Sequence, residues 1–504
     1  MNKKVWGVVF SYLLIAVDVL VALLFVPYLL DGLGQDEYGL YRLLYSTASY
    51  LAVLDFGLGG TITRYIVKFK TENDIRSQEN FMAMGLVIYG ILALATMVFS
   101  MVMTILIPKM YAASISAEQM RQAQGVFMIL CATHAVTLFS HAYTGLFSAY
   151  ERFSYSKISN IVKILLRVAL LIVGLRYWKS AMLVAAVDFL LAFGLLVIHI
   201  FYAKISVRCK IKLHKWEWKL AREALFFTSA ILIQSIVNQF NTNVANVVLG
   251  IYSTTAVIAM YSLVLQLYNM YSGFSTAIST VYLPAISSTV FKGADDETIT
   301  EKIIEPSRIQ LVVLLLVVSG FILFGKDFIL LWVGEGYEEV YLLTCILMVA
   351  ALMDLSQNTV DSVLKAKNKL LGKALILAVS TAVNFGLTLL LAPQMGAMGA
   401  VIGSSVSLIF GYGVALNIYY QKVIRINMFK FYKKTYPTIL LATLLCMAVG
   451  FGVGYMNPLG GWIGFLAEAA VYVVVFAVLM YFIGLNKGEK NPIKGKIKKI
   501  LHKS

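Results

Sequence analysis

Charge is scarce in this chain. Only 13% of its 504 residues are Asp, Glu, Lys or Arg, about half the share in a typical soluble domain. Cysteine is almost absent: Cys131, Cys345 and Cys446 fall in apolar stretches and Cys209 in a basic loop, which excludes a disulfide framework. No nucleotide-binding motif occurs. Gly57, Gly59 and Gly60 look like a phosphate loop, but no strand precedes them and no Lys-Ser/Thr pair follows. No metal set is present either, because His134 and His141 stand two turns apart without a Cys or carboxylate to complete a site. The first apolar run, residues 5–30, is too long for a cleavable signal and no small-residue cleavage site follows it.

What remains is 60% hydrophobic, with a mean hydropathy of +0.80. A bilayer crossing takes about 20 apolar residues, and reading on that scale predicts an all-α polytopic membrane protein with about fourteen transmembrane helices. The net charge of +16 does not require nucleic acid. With the N-terminus placed inside, 34 of the 42 Lys and Arg residues fall on inside segments, as the positive-inside rule demands of a chain with both termini cytoplasmic. The expected organisation is a first six-helix lobe over 1–203, a basic cytoplasmic linker over 204–223, a second lobe over 224–420, an extra helix pair over 421–485 and a basic tail over 486–504. Part of the linker, from His214 to Ala224, reads as an amphipathic helix at the membrane surface.

The two sixes are related in sequence. Leu33-Gly34 is echoed by Leu249-Gly250, an offset of 216, and Ala149-Tyr150-Glu151-Arg152 by Ala366-Lys367-Asn368-Lys369, an offset of 217. An even number of spans per copy makes the copies parallel in the membrane.

The chain is read as arranged around residues 38–65. The run Glu37-Tyr38-Gly39-Leu40-Tyr41, then Asp55-Phe56-Gly57-Leu58-Gly59, then Arg64-Tyr65 resembles the opening of bacterial Wzx-type oligosaccharide flippases of the multidrug/oligosaccharidyl-lipid/polysaccharide exporter superfamily. The resemblance implies a MATE-like, V-shaped pair of lobes around a cavity. It implies transfer of an undecaprenyl-diphosphate-linked oligosaccharide from the inner to the outer leaflet by alternating access, for surface polysaccharide assembly. It further implies residence in the bacterial inner membrane, contact with membrane lipid and with other polysaccharide-assembly proteins, no cofactor and no enzymatic activity. Lipid II flippases share the extra pair but use cavity arginines on spans one, two and eight. Here no Arg or Lys occurs over 5–30 or 254–291. An ion-coupled multidrug exporter is the other alternative, with Asp18 as coupling carboxylate, though such exporters stop after twelve spans.

Ionisable groups at membrane depth usually line a path or a site. Lys163 and Arg167, four apart on one face of span five, are expected to hold the diphosphate, with Arg64 at its entry. His134, His141, Gln234, Asn238, Asn241, Asp354, Asn358 and Asp361 are expected to line the glycan path, since amides and hydroxyls suit sugar hydroxyls. Asp18 and Asp55 are candidates for ion coupling, or plain counter-ions to Arg167.

Overall fold

Every regular element among the described residues is helical, because in lipid a backbone must satisfy its own polar groups within each segment. The structure is a computed structural model that describes residues 3–55, 57–207, 209–454, 460–486 and 488–491. The basic tail from 492 and the side chain of Gln234 lie outside the described set.

The helices are α1 (Lys3–Ser49), α2 (Leu58–Thr71), α3 (Ile75–Met110), α4 (Ala117–Ala149), α5 (Phe153–Gly174), α6 (Ala181–Tyr202), α7 (Trp218–Tyr252), α8 (Thr255–Phe291) and α9 (Asp296–Val333). They continue as α10 (Glu338–Leu355), α11 (Val360–Ala366), α12 (Leu370–Met395), α13 (Ala397–Val406), α14 (Leu416–Tyr419), α15 (Met428–Thr435), α16 (Pro437–Gly454) and α17 (Gly461–Leu479). Two compact units result: residues 1–262 with 388–400, and residues 263–387 with 401–504. This boundary falls within α8, whereas the sequence places one at the linker.

Ten of the described helical runs are long and apolar enough to cross a membrane, or eleven if the bent pair α10–α11 is one span. The expected count of fourteen is not confirmed among the described residues. The stretch 16–71 forms one run although α1 breaks at Gly34, where φ is 78°. α5 carries Lys157, Lys163 and Arg167 within 22 residues, too much charge to face lipid all round, and the side chains of residues 224–231, 233 and 234 of α7 lie outside the described set.

The motif at 55–60 ends one helix and starts another. A 3₁₀ turn over Tyr50–Asp55 closes, Gly57 turns the chain at φ 71°, and α2 begins. That backbone conformation suits glycine because a Cβ would clash there. Gly59 serves packing. A Cβ on Gly145 of α4 would lie 2.4 Å from the Gly59 carbonyl oxygen, and Thr63 Oγ1 donates to both Gly59 O and Gly145 O, at 3.0 and 2.9 Å. Leu58, Ile62, Ile66, Tyr89, Leu138 and Leu146 form the core around this crossing of α2, α3 and α4. Gly145→Val is expected to destabilise the protein by about 1–3 kcal/mol through overpacking, seen as a lower melting midpoint of the detergent-purified chain.

The two turns at the offset of 217 share geometry as well as spacing. α4 ends with Arg152 N donating to Phe147 O (2.8 Å) and Glu151 at φ 54°; α11 ends with Lys369 N donating to Leu364 O (2.9 Å) and Asn368 at φ 53°. All three positions keep the offset of 217. This is the six-to-one helix stop with a left-handed residue.

The linker differs from expectation. Residues 209–217 are not helical, and α7 starts only at Trp218. The segment is clamped to α3: Asn80 Oδ1 accepts from His214 N and Lys215 N (2.8 and 3.0 Å), and His214 Nε2 sits 3.1 Å from Glu79. Backbone donors satisfied by one amide have no need of a helix.

In the second unit α16 and α17 pack on α9 through Leu311, Leu315, Phe324, Ala442, Tyr472 and Phe476. Arg308, counted from sequence among the topology-setting loop charges, is instead buried within α9, with 2% exposure. Its guanidinium donates to Glu489 (2.6 and 3.2 Å), to Lys434 O (2.6 Å) and to Gly484 O (2.6 Å).

Candidate functional site

Three helices of the first unit enclose a cavity of about 420 Å³. α4 contributes Thr137, Ser140, His141, Thr144 and Ser148, whose spacing puts them on one helix face. α5 contributes Phe153, Ser156, Lys157, Asn160 and Lys163, and α6 adds Ala192, Leu195 and His199. No carboxylate lines it. The Ser140 and Ser156 hydroxyls and both ring nitrogens of His199 are buried without a hydrogen-bond partner among the described residues. Lys157 and Lys163 likewise make no hydrogen bond or ion pair among the described residues. Buried polar groups are normally satisfied, so this wall is built for something that accepts hydrogen bonds.

His141 joins the cavity to the break in the second span. Its Nδ1 lies 3.2 Å from Asp55 Oδ1, and the same oxygen accepts from the Tyr89 hydroxyl at 2.7 Å. Asp55 therefore pairs with His141. Asp188 of α6, which sequence reading passed over, holds Arg167: Nε to Oδ1 at 2.5 Å, Nη2 to Oδ2 at 3.2 Å, with the Tyr41 hydroxyl donating to Oδ2 at 2.7 Å. The expectation that Asp18 or Asp55 neutralises Arg167 is corrected by that geometry. Asp18 is exposed on α1 and makes no hydrogen bond or ion pair among the described residues.

The other expected site residues are dispersed. Of the three expected phosphate ligands only Lys163 lines the cavity; Arg64 is exposed on α2 and Arg167 is committed to Asp188. His134 stands seven residues before His141 and faces the Tyr45 ring, 6.4 Å between centroids. Asn238 is exposed on α7 and Asn241 partly buried. Their neighbours Gln239 and Asn246 are used structurally, Gln239 donating to Ser49 O and Asn246 to Ser46 Oγ.

In the second unit, Asp361 accepts from Lys373 of α12 at 2.5 Å. Lys373, one of the 34 cations that the sequence places on inside segments, has a side chain only 13% exposed. Asp354, two turns earlier and partly buried, makes no side-chain hydrogen bond among the described residues. Asn358, in the break between α10 and α11, donates to Ser275 Oγ at 3.3 Å.

Sequence reading also missed His199, Lys157 and Asn160. A signal existed: Asp188 and His199 are the only ionisable groups of α6 apart from Tyr202, and eleven residues is three turns, so they share a face. On α5, Ser156, Asn160, Lys163 and Arg167 follow steps of four, three and four. No group of three or more His, Cys, Asp or Glu that could hold a metal ion occurs among the described residues.

A family model described as polysaccharide biosynthesis protein matches residues 5–290, more than half of the chain. Among curated proteins none matches by sequence. Solved structures share the fold at low identity. A lipid II flippase, MurJ, in an inward closed conformation aligns with a TM-score of 0.69 at 14% identity, over 95% of this chain and 98% of that one. An inward-facing multidrug resistance transporter of the MATE family and MOP superfamily aligns at 0.58 and 15% identity, over 80% and 94%. A MOP superfamily transporter from Pyrococcus furiosus, described as having a binding pocket of reverse polarity, aligns at 0.51 and 14%, over 83% and 94%.

Proposed function

Because this chain belongs to the polysaccharide biosynthesis protein family and has the fold of MurJ and MATE transporters, we propose that it is a flippase for lipid-linked oligosaccharides. It moves undecaprenyl-diphosphate-linked repeat units from the inner to the outer leaflet of the cytoplasmic membrane by alternating access. The observation that carries the reading is the α4–α5–α6 cavity, with two uncommitted lysines and no carboxylate. A drug cation would meet net positive charge there; a diphosphate meets donors. The hydroxyls of Thr137, Thr144 and Ser148 and the amide of Asn160 offer the mixed donors and acceptors that a sugar requires. The prenyl chain stays in lipid, and surplus positive charge on inside segments orients the protein with its termini in the cytoplasm.

Lys157→Ala combined with Lys163→Ala tests this. Each charge-assisted contact is worth about 1.5–3 kcal/mol, so surface polymer should fall by about tenfold or more while lipid-linked repeat units accumulate on the cytoplasmic leaflet. Unchanged polymer with normal protein levels would sink the assignment. Accumulated lipid II instead of repeat units would redirect it to peptidoglycan precursor.

A further inference from the structure

The geometry points to a proton that enters the cavity with the diphosphate and is carried by His199. The inference rests on the flippase reading above and extends it to the question of what is coupled to substrate binding.

The argument is one of donors and acceptors. His199 is 2% exposed, and neither ring nitrogen has a partner among the described residues. A neutral imidazole offers one donor and one acceptor; the imidazolium offers two donors. The other buried orphans of the cavity wall, Ser140 Oγ and Ser156 Oγ, can donate, and the Lys157 and Lys163 ammonium groups only donate. A diphosphate diester has acceptors and no donor. Neutral His199 would present it with a lone pair, leaving one ring nitrogen unsatisfied in a buried place, which costs about 1–3 kcal/mol. Protonated His199 completes an all-donor wall.

The charges around the ring set what a docking anion would change. From α4 the ring meets Phe147 edge-on, 5.3 Å between centroids, while His141, held by Asp55, shares the cavity lining. From α5 it faces Tyr155, 5.8 Å between centroids, with Lys157 and Lys163 in the same lining. On α6 itself Tyr202 stacks on Tyr155, and Asp188 lies three turns away bound to Arg167, with Tyr41 of α1 on the same pair. No free carboxylate stands among these groups to stabilise an imidazolium. Two negative phosphates supply what is missing. The proton comes from water in the open cavity, binds a ring nitrogen as the anion docks, and returns to water when the anion leaves. No covalent bond is made or broken elsewhere.

The test uses the full chain in detergent and a short prenyl-diphosphate-linked monosaccharide, a diester that does not titrate near neutrality. Binding heats are measured in buffers of different ionisation enthalpy. The wild type should take up about one proton per ligand above the imidazole range, with affinity rising by up to about tenfold per unit fall in pH. His199→Gln should still bind, more weakly, with proton uptake near zero and a flat pH profile. His199→Lys, cationic from the start, should also bind without uptake; it keeps the test informative if the Gln variant misfolds. Wild-type binding with no proton uptake would overturn the proton link and leave the flippase reading standing. No binding by the wild type at any pH would overturn the diphosphate cavity itself.

Discussion

Arg308→Met is expected to strip the second unit of most of its stability at one stroke. Removing the guanidinium leaves the Glu489 carboxylate and the carbonyls of Lys434 and Gly484 without their donor in a site that excludes water. Breaking a buried ion pair from one side costs about 3–5 kcal/mol, a large part of what holds an ordinary domain together. The variant should express poorly, melt well below the wild type and elute as aggregate in detergent. Arg308→Lys should rescue little, because an ammonium cannot reach a carboxylate and two carbonyls in one plane. A melting midpoint unchanged in Arg308→Met would show that the α9 junction with α15, α16 and the chain end is held by its apolar core alone.

The second large effect concerns Arg167, which can be read either as a substrate ligand or as a strut between α5 and α6. Its bidentate bond to Asp188, reinforced by Tyr41, favours the strut. Arg167→Met and Asp188→Leu should each destabilise by about 3–5 kcal/mol, because each leaves a lone charge in a partly buried site. The double variant should recover most of that stability, since an apolar pair replaces an ion pair at little cost. It should also recover polymer export. Recovered melting with export still absent would return Arg167 to direct contact with the diphosphate. The comparison needs all three variants, because the single Arg167 variant fails export under either reading.

Much of the fold was legible from sequence because it depends on local rules. Apolar length marks the spans, Gly34 marks a break, and the Ala149 and Ala366 stretches mark two helix stops of the same geometry. Asp55 and the glycines after it announced a site of interest, though the roles separate: Gly57 turns the backbone, Gly59 permits a crossing, and Asp55 anchors His141. What the sequence did not convey was which charge meets which. Arg308 and Lys373 are among the 34 cations that the sequence places on inside segments, and only packing against α15 and α11 makes them interior. Asp188 meets Arg167 across 21 residues and a turn, and nothing in either helix alone names the partner. The cavity was half legible. Lys163 and His141 were found as ionisable groups in apolar runs. His199 obeys the same rule but was passed over beside the basic linker. Ser140 and Ser156 carry no sequence signal, because a serine becomes an orphan donor only when its surroundings leave it unpaired.

The paired helix stops at Glu151 and Asn368 bear on ancestry. The same six-residue loop closes at the same interval in both halves, with φ angles one degree apart. Yet the residues at the left-handed position are an acid in one and an amide in the other, and neither is the glycine that this conformation favours. A common origin of the two turns would be kept in the backbone while the side chains drift, and its record would lie in where the carbonyls of Phe147 and Leu364 find their donors rather than in which amino acids surround them.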